Sequence, residues 1–294
     1  MPSWSEILKD VDLYSNAANE LDKKRKEYFE KITTITNRNV IAYYSGWLKK
    51  PDAPHVIIDE QDKNAFMTAV HGLDKSKGLD LILHTPGGDI AATESIVGYL
   101  KTIFKGDIRA IIPQISMSAG TMIALSCREI IMGEQSSLGP IDPQYGGVPC
   151  QAIVDEFKRA VEEVSANPAC LGLWQTIISK YTPTFLTECE YSIKWSIELA
   201  EQWLRSVNAD IDMEKIKNVF INHSNSYSHS RHISKQGCKD AGLKIVDMED
   251  NQDLQDAILS LHHCYMILLD KFPLSKVVEN NLGNCYAQNY SINN

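Results

Sequence analysis

Two short loops of the sequence carry residue types that acyl-transfer chemistry uses. The first is HTPGGD at residues 84–89, and the second is SMSAG at residues 116–120. Adjacent glycines permit positive φ angles and close approach of a substrate. Free N–H groups in such a loop can stabilise an oxyanion or bind a phosphate. The small neighbours of Ser118 would leave its hydroxyl accessible as a nucleophile.

Each loop also has an ordinary structural interpretation. A Pro-Gly-Gly sequence fits a plain strand–helix turn, and Ser116 or Ser118 could simply be the N-cap of the following helix. A third loop, SSLGPIDPQ at residues 136–144, is rich in turn formers, so Asp142 could belong to an Asx-turn. Taken one at a time, the three loops leave structural and chemical roles open.

Three strand-like runs precede the three loops. They lie at 79–84, 108–113 and 129–132, and each is short and almost continuously apolar. Such runs, alternating with helix-length segments, indicate an α/β fold with a parallel sheet covered by helices. We expect these three strands to be neighbours in one sheet.

Loops that follow neighbouring parallel strands meet at the same edge of a sheet. That carboxyl edge is where α/β proteins place their binding sites. We therefore expect the amides of Gly88 and Ala119 to point into a common pocket beside the Ser118 hydroxyl. This is the arrangement that acyl transfer requires.

The stretch from 80 to 147 resembles the Clp protease, signal-peptide-peptidase and crotonase superfamily. Within it, the phrases HTPGGD, SMSAGTMIAL and SSLGPIDPQ are most similar to the signal-peptide-peptidase-like serine dehydrogenase proteinase family. The resemblance implies a Clp protease/crotonase-like fold with added helices and a serine peptidase activity. It also implies that Ser118 is the nucleophile and that Gly87, Gly88 and Ala119 form the oxyanion hole.

The sequence departs from the Clp pattern at the general base. Where that pattern has a histidine after the third strand, this chain has Asp142, and carboxylates are weak bases near neutral pH. The polar segment 227–233 falls about where the Clp pattern places its triad acid. We expect His229 from this segment to act as the base, oriented by Asp142, with His223 or His232 as the alternatives.

Two other interpretations of the base stay open. These histidines could be surface residues of a polar loop. A lysine base, as in signal peptide peptidases, is also possible, and Lys180, Lys194 and Lys215 lie in the intervening segment.

Composition narrows the class of protein. A chain of 294 residues with 44% hydrophobic and 23% charged residues is typical of a globular protein, which excludes disordered and fibrous classes. The net charge of −9 argues against a broad nucleic-acid surface. The seven cysteines form no C-x-x-C pair, so we predict no metal or cofactor, and their scatter suits a reducing compartment.

Partners and location follow from the same observations. No apolar run approaches the roughly 20 residues of a membrane helix, and the first residues do not read as a signal peptide. We expect a cytoplasmic protein that acts on a peptide or protein substrate, with neither nucleic acid nor membrane as a partner. The resemblance also implies a homo-oligomer.

Changes in sequence character suggest the domain organisation. We expect an N-terminal helical extension at 1–35, an α/β hydrolase domain at 36–270 with a helical insertion at about 151–220, and a C-terminal tail at 271–294. Two other functions fit these features: a non-catalytic Clp-like scaffold or binding module, and a crotonase-type enzyme acting on acyl-CoA.

Overall fold

A computed structural model describes residues 4–12, 17–222 and 228–290. The strands are β1 (Asn39–Ser45), β2 (Leu79–His84), β3 (Ile108–Ile112), β4 (Ile115–Ser116), β5 (Glu129–Met132), β6 (Ser137–Leu138), β7 (Gln144–Tyr145), β8 (Val148–Pro149), β9 (Ile233–Ser234), β10 (Ile245–Asp247), β11 (Leu274–Asn280) and β12 (Cys285–Asn289). The helices are α1 (Trp4–Asp12), α2 (Ala17–Thr36), α3 (Gln61–Val70), α4 (Ile90–Phe104), α5 (Ala119–Leu125), α6 (Cys150–Ala166), α7 (Leu171–Ile178), α8 (Phe185–Val207), α9 (Met213–Ile216), α10 (Lys235–Asp240) and α11 (Gln252–Lys271).

A seven-stranded sheet in the order β10-β5-β3-β2-β1-β11-β12 forms the centre of the fold. The five strands from β10 to β1 are parallel, and β11 and β12 add to the sheet antiparallel. Ile111 of β3 lies between Ile82 of β2 and Ile131 of β5. The prediction that these three strands are neighbours is therefore confirmed, as is the mixed α/β class.

Helices cover both faces of the sheet because its strands are apolar on both sides. Leu81 and Leu83 of β2 enter a core formed with α3, α4, α5 and α8. Ile82, between them, enters the opposite core, which α1, α2 and α11 complete. The insertion helices α6 and α8 pack together around a smaller cluster that includes Cys150 and Cys189.

Residues 274–289 form two strands rather than the tail expected for 271–294. β11 pairs with β1 inside the main sheet, and β12 covers the outer edge of β11. β11 cannot be recognised from its hydrophobic pattern, because the charged residues Lys276 and Glu279 occupy buried positions in it. Each has a buried partner of opposite charge, Asp62 for Lys276 and Arg25 for Glu279.

Within the described ranges, no helix is both long enough and apolar enough to cross a membrane.

Candidate active site

Ser118 stands on a sharp turn between β4 and α5. Its backbone has φ +50° and ψ −119°, a conformation that non-glycine residues rarely adopt. A β-carbon on Gly120 would collide with Thr85 Cγ2 and with the Ser116 side chain, so the turn requires glycine there. Strained turns that lead from a strand into a helix are the setting in which nucleophilic serines are presented.

The glycine loop at 85–89 packs directly against this turn. The amide of Met117 donates to the carbonyl of Thr85 at 3.0 Å, which joins the two loops. Gly87 has φ +96°, and a β-carbon there would lie 2.6 Å from Ser118 Cβ. The Gly87 amide donates to Thr85 Oγ1 at 3.1 Å, so this glycine serves the site by allowing close approach rather than by donating into the cleft.

The amides of Gly88 and Ala119 have a different environment. Ile58 donates to the Gly87 carbonyl at 2.8 Å and accepts from the Asp89 amide at 2.9 Å. The Gly88 amide between these two bonds therefore faces away from Ile58. Ala119 begins α5, so its amide has no acceptor within the helix. In the described part of the chain, neither amide donates to another protein group, and both border the same cleft.

The cleft has a volume of about 630 Å³ and brings most of the predicted site together. Its walls include the predicted residues Gly87, Gly88, Ser118, Ala119 and His229. Further lining comes from Ile57, Ile90, Met122, Ile141, Tyr145, Ser192 and Ser196. Asp89 and Gln144 add polar groups, so the lining is mixed, and the volume is within the range of ligand-binding clefts.

His229 and Asp142 form a hydrogen-bonded pair at this cleft. Nδ1 of the imidazole lies 2.7 Å from Oδ1 of Asp142. The Asp142 side chain is 1% exposed and the His229 side chain 25% exposed, so the carboxylate lies behind the imidazole. With Nδ1 committed to the carboxylate, Nε2 is the nitrogen available for exchange of a proton with a group in the cleft.

The pairing of β6 with β9 explains how two residues so far apart in sequence meet. These strands are antiparallel, with Leu138 opposite Ile233. Asp142 follows Leu138 by four residues, and His229 precedes Ile233 by four. Continuing the same register beyond the strands places the carboxylate opposite the imidazole.

The alternative bases have other surroundings. His232 is exposed, and its Nδ1 contacts Ser137 Oγ at 2.8 Å. It borders a smaller cavity with Trp47, and it is not among the residues that line the main cleft. His223 lies outside the described residues.

The three candidate lysines do not line the cleft. Lys180, Lys194 and Lys215 are exposed, and Lys194 lies 3.8 Å from Glu198 on the surface of α8. The described residues that line the cleft include no lysine. The geometry thus favours a histidine over a lysine as the proton acceptor.

Buried aromatic and imidazole rings pack around the residue that precedes the glycine loop. His84 immediately precedes the loop, is fully buried, and stacks on Tyr44 with ring centroids 5.4 Å apart. Its Nε2 lies 3.2 Å from Gln114 Oε1. Burial, opposed by that hydrogen bond, lowers the pKa of His84 to about 4, so this imidazole is neutral at physiological pH.

Sequence reasoning missed three residues: Ile58, which bonds to the glycine loop, and Ser192 and Ser196, which line the cleft. Ile58 was not recognised because it acts through its backbone, which leaves no signal in residue type. Ser192 and Ser196 line the cleft from α8. Their spacing of four residues places them on one face of that helix, a signal that the sequence did offer.

Comparison with known proteins defines the family. Residues 11–180, more than half of the chain, match the family model for the ClpP-like SDH-type serine proteinases. The chain belongs to this family. The matched range contains the glycine loop, Ser118 and Asp142 but ends before His229. Membership supports a serine peptidase at the level of the family.

Curated relatives match a shorter part of the chain. The uncharacterized protein MJ0137 of Methanocaldococcus jannaschii is 41% identical over 109 residues, which are 37% of this chain and 36% of the relative. A second uncharacterized protein of that organism, MJ1495, is 39% identical over 105 residues, 36% of each chain. The match spans only about a third of the length of these relatives.

Proposed function

We propose that this chain hydrolyses peptide bonds through an acyl-enzyme on Ser118. His229 is the general base, Asp142 orients its imidazole, and the amides of Gly88 and Ala119 form the oxyanion hole. One observation carries the proposal: His229, which is hydrogen-bonded to Asp142, borders the same cleft as a strained serine and two amides that have no acceptor among the described residues.

The chemistry proceeds in two balanced stages. Ser118 Oγ bonds to the substrate carbonyl carbon while its proton passes to Nε2 of His229. The two amides stabilise the negative charge that develops on the carbonyl oxygen. Collapse breaks the C–N bond, and His229 returns the proton to the leaving amine. A water molecule then repeats the sequence, releases the acid and regenerates Ser118.

Asp142 contributes orientation and charge. Its carboxylate accepts a hydrogen bond from Nδ1, which keeps the lone pair on Nε2 where Ser118 needs it. When the imidazole becomes positively charged, the carboxylate 2.7 Å away stabilises that charge. The acid and the base of the Clp pattern would thereby have exchanged places in the chain.

Cleavage of an unfolded protein substrate tests the proposal. We expect the chain to generate new amino termini from a reduced, unfolded protein and Ser118→Ala to generate none. Hydrolysis of acyl-CoA without peptide cleavage would instead assign a crotonase-type activity. Absence of both activities would favour a non-catalytic scaffold.

We also propose that the chain forms a homo-oligomer. Exposed apolar side chains on the insertion helices support this, with Val161, Leu173 and Tyr191 each more than 60% exposed. Sedimentation at micromolar concentration tests the proposal, and a monomer under those conditions would contradict it.

A further inference from the structure

A buried ion pair lies beside the site but outside the lining of the cleft. Lys276 on β11 is 2% exposed and Asp62 on α3 is 1% exposed. The ammonium group lies 2.7 and 2.8 Å from the two carboxylate oxygens of Asp62. Removing two charges from water is costly, so such a pair is weak evidence for a role in stability alone.

Both members of the pair hold the backbone of segment 56–59. Lys276 Nζ donates to the carbonyl of Ile57 at 2.8 Å. The amide of Asp59 donates to Asp62 Oδ2 at 3.0 Å. These bonds fix the backbone on both sides of Ile58.

Segment 56–59 in turn holds the glycine loop. Ile58 makes a single parallel bridge with Gly88, through its bonds to the Gly87 carbonyl and the Asp89 amide. A β-carbon on Gly88 would collide with the backbone of Ile58, so segment 56–59 and the glycine loop are in direct contact. The direction of the Gly88 amide therefore depends on where Ile58 lies.

We propose that Lys276 and Asp62 are positioning residues that press segment 56–59 against the glycine loop and so aim the Gly88 amide into the oxyanion hole. The inference rests on the proposed function, because it deepens the account of the same site. The bridge to Ile58 holds the Gly88 end of the glycine loop, whereas the bond from Met117 to Thr85 holds its other end. Oxyanion donors act only when they are held close to the productive geometry.

The proposal predicts a specific kinetic pattern. The pair does not line the cleft, and of segment 56–59 only Ile57 does, so loss of the pair should slow bond formation at Ser118 much more than it changes probe binding. With a fluorophosphonate probe, we expect Lys276→Met to lower the limiting labelling rate per folded molecule by about 10- to 100-fold. The concentration of probe that gives half the limiting rate should change less than about twofold. Lys276→Arg, which keeps the cation, should recover part of the rate.

Two further variants separate positioning from general stability. Glu279→Gln weakens another buried ion pair of β11, that with Arg25 at 2.8 Å, on the opposite face of the strand. It should leave the limiting rate within about twofold of wild type. Lys276→Met combined with Asp62→Leu leaves no unpaired charge and guards against misfolding. A wild-type limiting rate in this double variant, or an equal loss in Glu279→Gln, would overturn the inference.

Amide hydrogen exchange tests the positioning role independently of any reaction at Ser118. We expect the amides of Ile58 and Asp89 to exchange at least tenfold faster in Lys276→Met, with the amides of β2 unchanged. If wild-type Ser118 does not label, the proposed function fails, yet these amides still report whether the pair holds the loop. Unchanged exchange at both amides would refute the positioning role.

Discussion

Replacing Asp142 by asparagine removes the carboxylate charge and keeps the shape of the side chain. The carboxylate is buried and lies 2.7 Å from Nδ1 of His229, so the new amide would occupy the same place. An asparagine NH₂ group can donate to Nδ1, which moves the imidazole proton to Nε2. That tautomer cannot accept the proton of Ser118. We expect acylation to slow by roughly 10³- to 10⁴-fold, which corresponds to about 4–5.5 kcal/mol of barrier.

The assay is the rate at which a fluorophosphonate labels each variant at saturating probe concentration. His232→Ala is the matched control, because His232 precedes β9 directly and contacts Ser137 rather than Asp142. It should retain at least a third of the wild-type rate. Labelling of Asp142→Asn at more than a tenth of the wild-type rate would refute the triad, as would an equal loss in His232→Ala.

Three other outcomes follow from the same geometry. Gly87→Ala places a methyl group 2.6 Å from Ser118 Cβ at φ +96°, so thermal unfolding should show a loss of about 2–4 kcal/mol, together with loss of labelling. His84 has a pKa lowered by burial to about 4, so between pH 6.5 and 4 the unfolded chain binds a proton that the folded chain does not. His84 should then contribute about 3 kcal/mol to the loss of stability on acidification across that range, beside the loss from the neighbouring His262, whose pKa burial also lowers, and urea titrations should show a shallower slope in His84→Gln. Ser192→Trp should narrow the cleft, raise KM for peptides at least tenfold and leave labelling by a small probe within about threefold of wild type. Unchanged stability in Gly87→Ala, an unchanged acid slope in His84→Gln, or an unchanged KM in Ser192→Trp would contradict the respective expectation.

The sequence was informative where local chemistry determines structure. The strands at 79–84, 108–113 and 129–132 were predictable because each is a short apolar run between helix-length segments. The glycine loop and Ser118 were recognisable because their residue types are unusual and follow neighbouring strands. A strand that is buried on both faces requires apolar residues, and close approach of two backbones requires glycine, so both features can be recognised from residue type.

Other features depend on contacts between distant segments. β11 was missed because its buried positions hold Lys276 and Glu279, whose charges are matched only in three dimensions. His229 and its partner Asp142 could be named as candidates, but the choice of His229 over His223 and His232 depends on the register of β6 with β9. The role of Ile58 is carried by its backbone N–H and C=O, which every residue except proline possesses.

The central claim is that Ser118 is the nucleophile and that His229 activates it. Peptide mass spectrometry of the fluorophosphonate-treated protein tests this most directly, with wild type, Ser118→Ala and His229→Ala compared at equal folded concentration. We predict one adduct in wild type, in tryptic peptide 110–128. Fragmentation should assign it to Ser118 rather than Ser116, and neither variant should carry it over the same time. An adduct that persists in Ser118→Ala, or wild-type labelling in His229→Ala, would contradict the account.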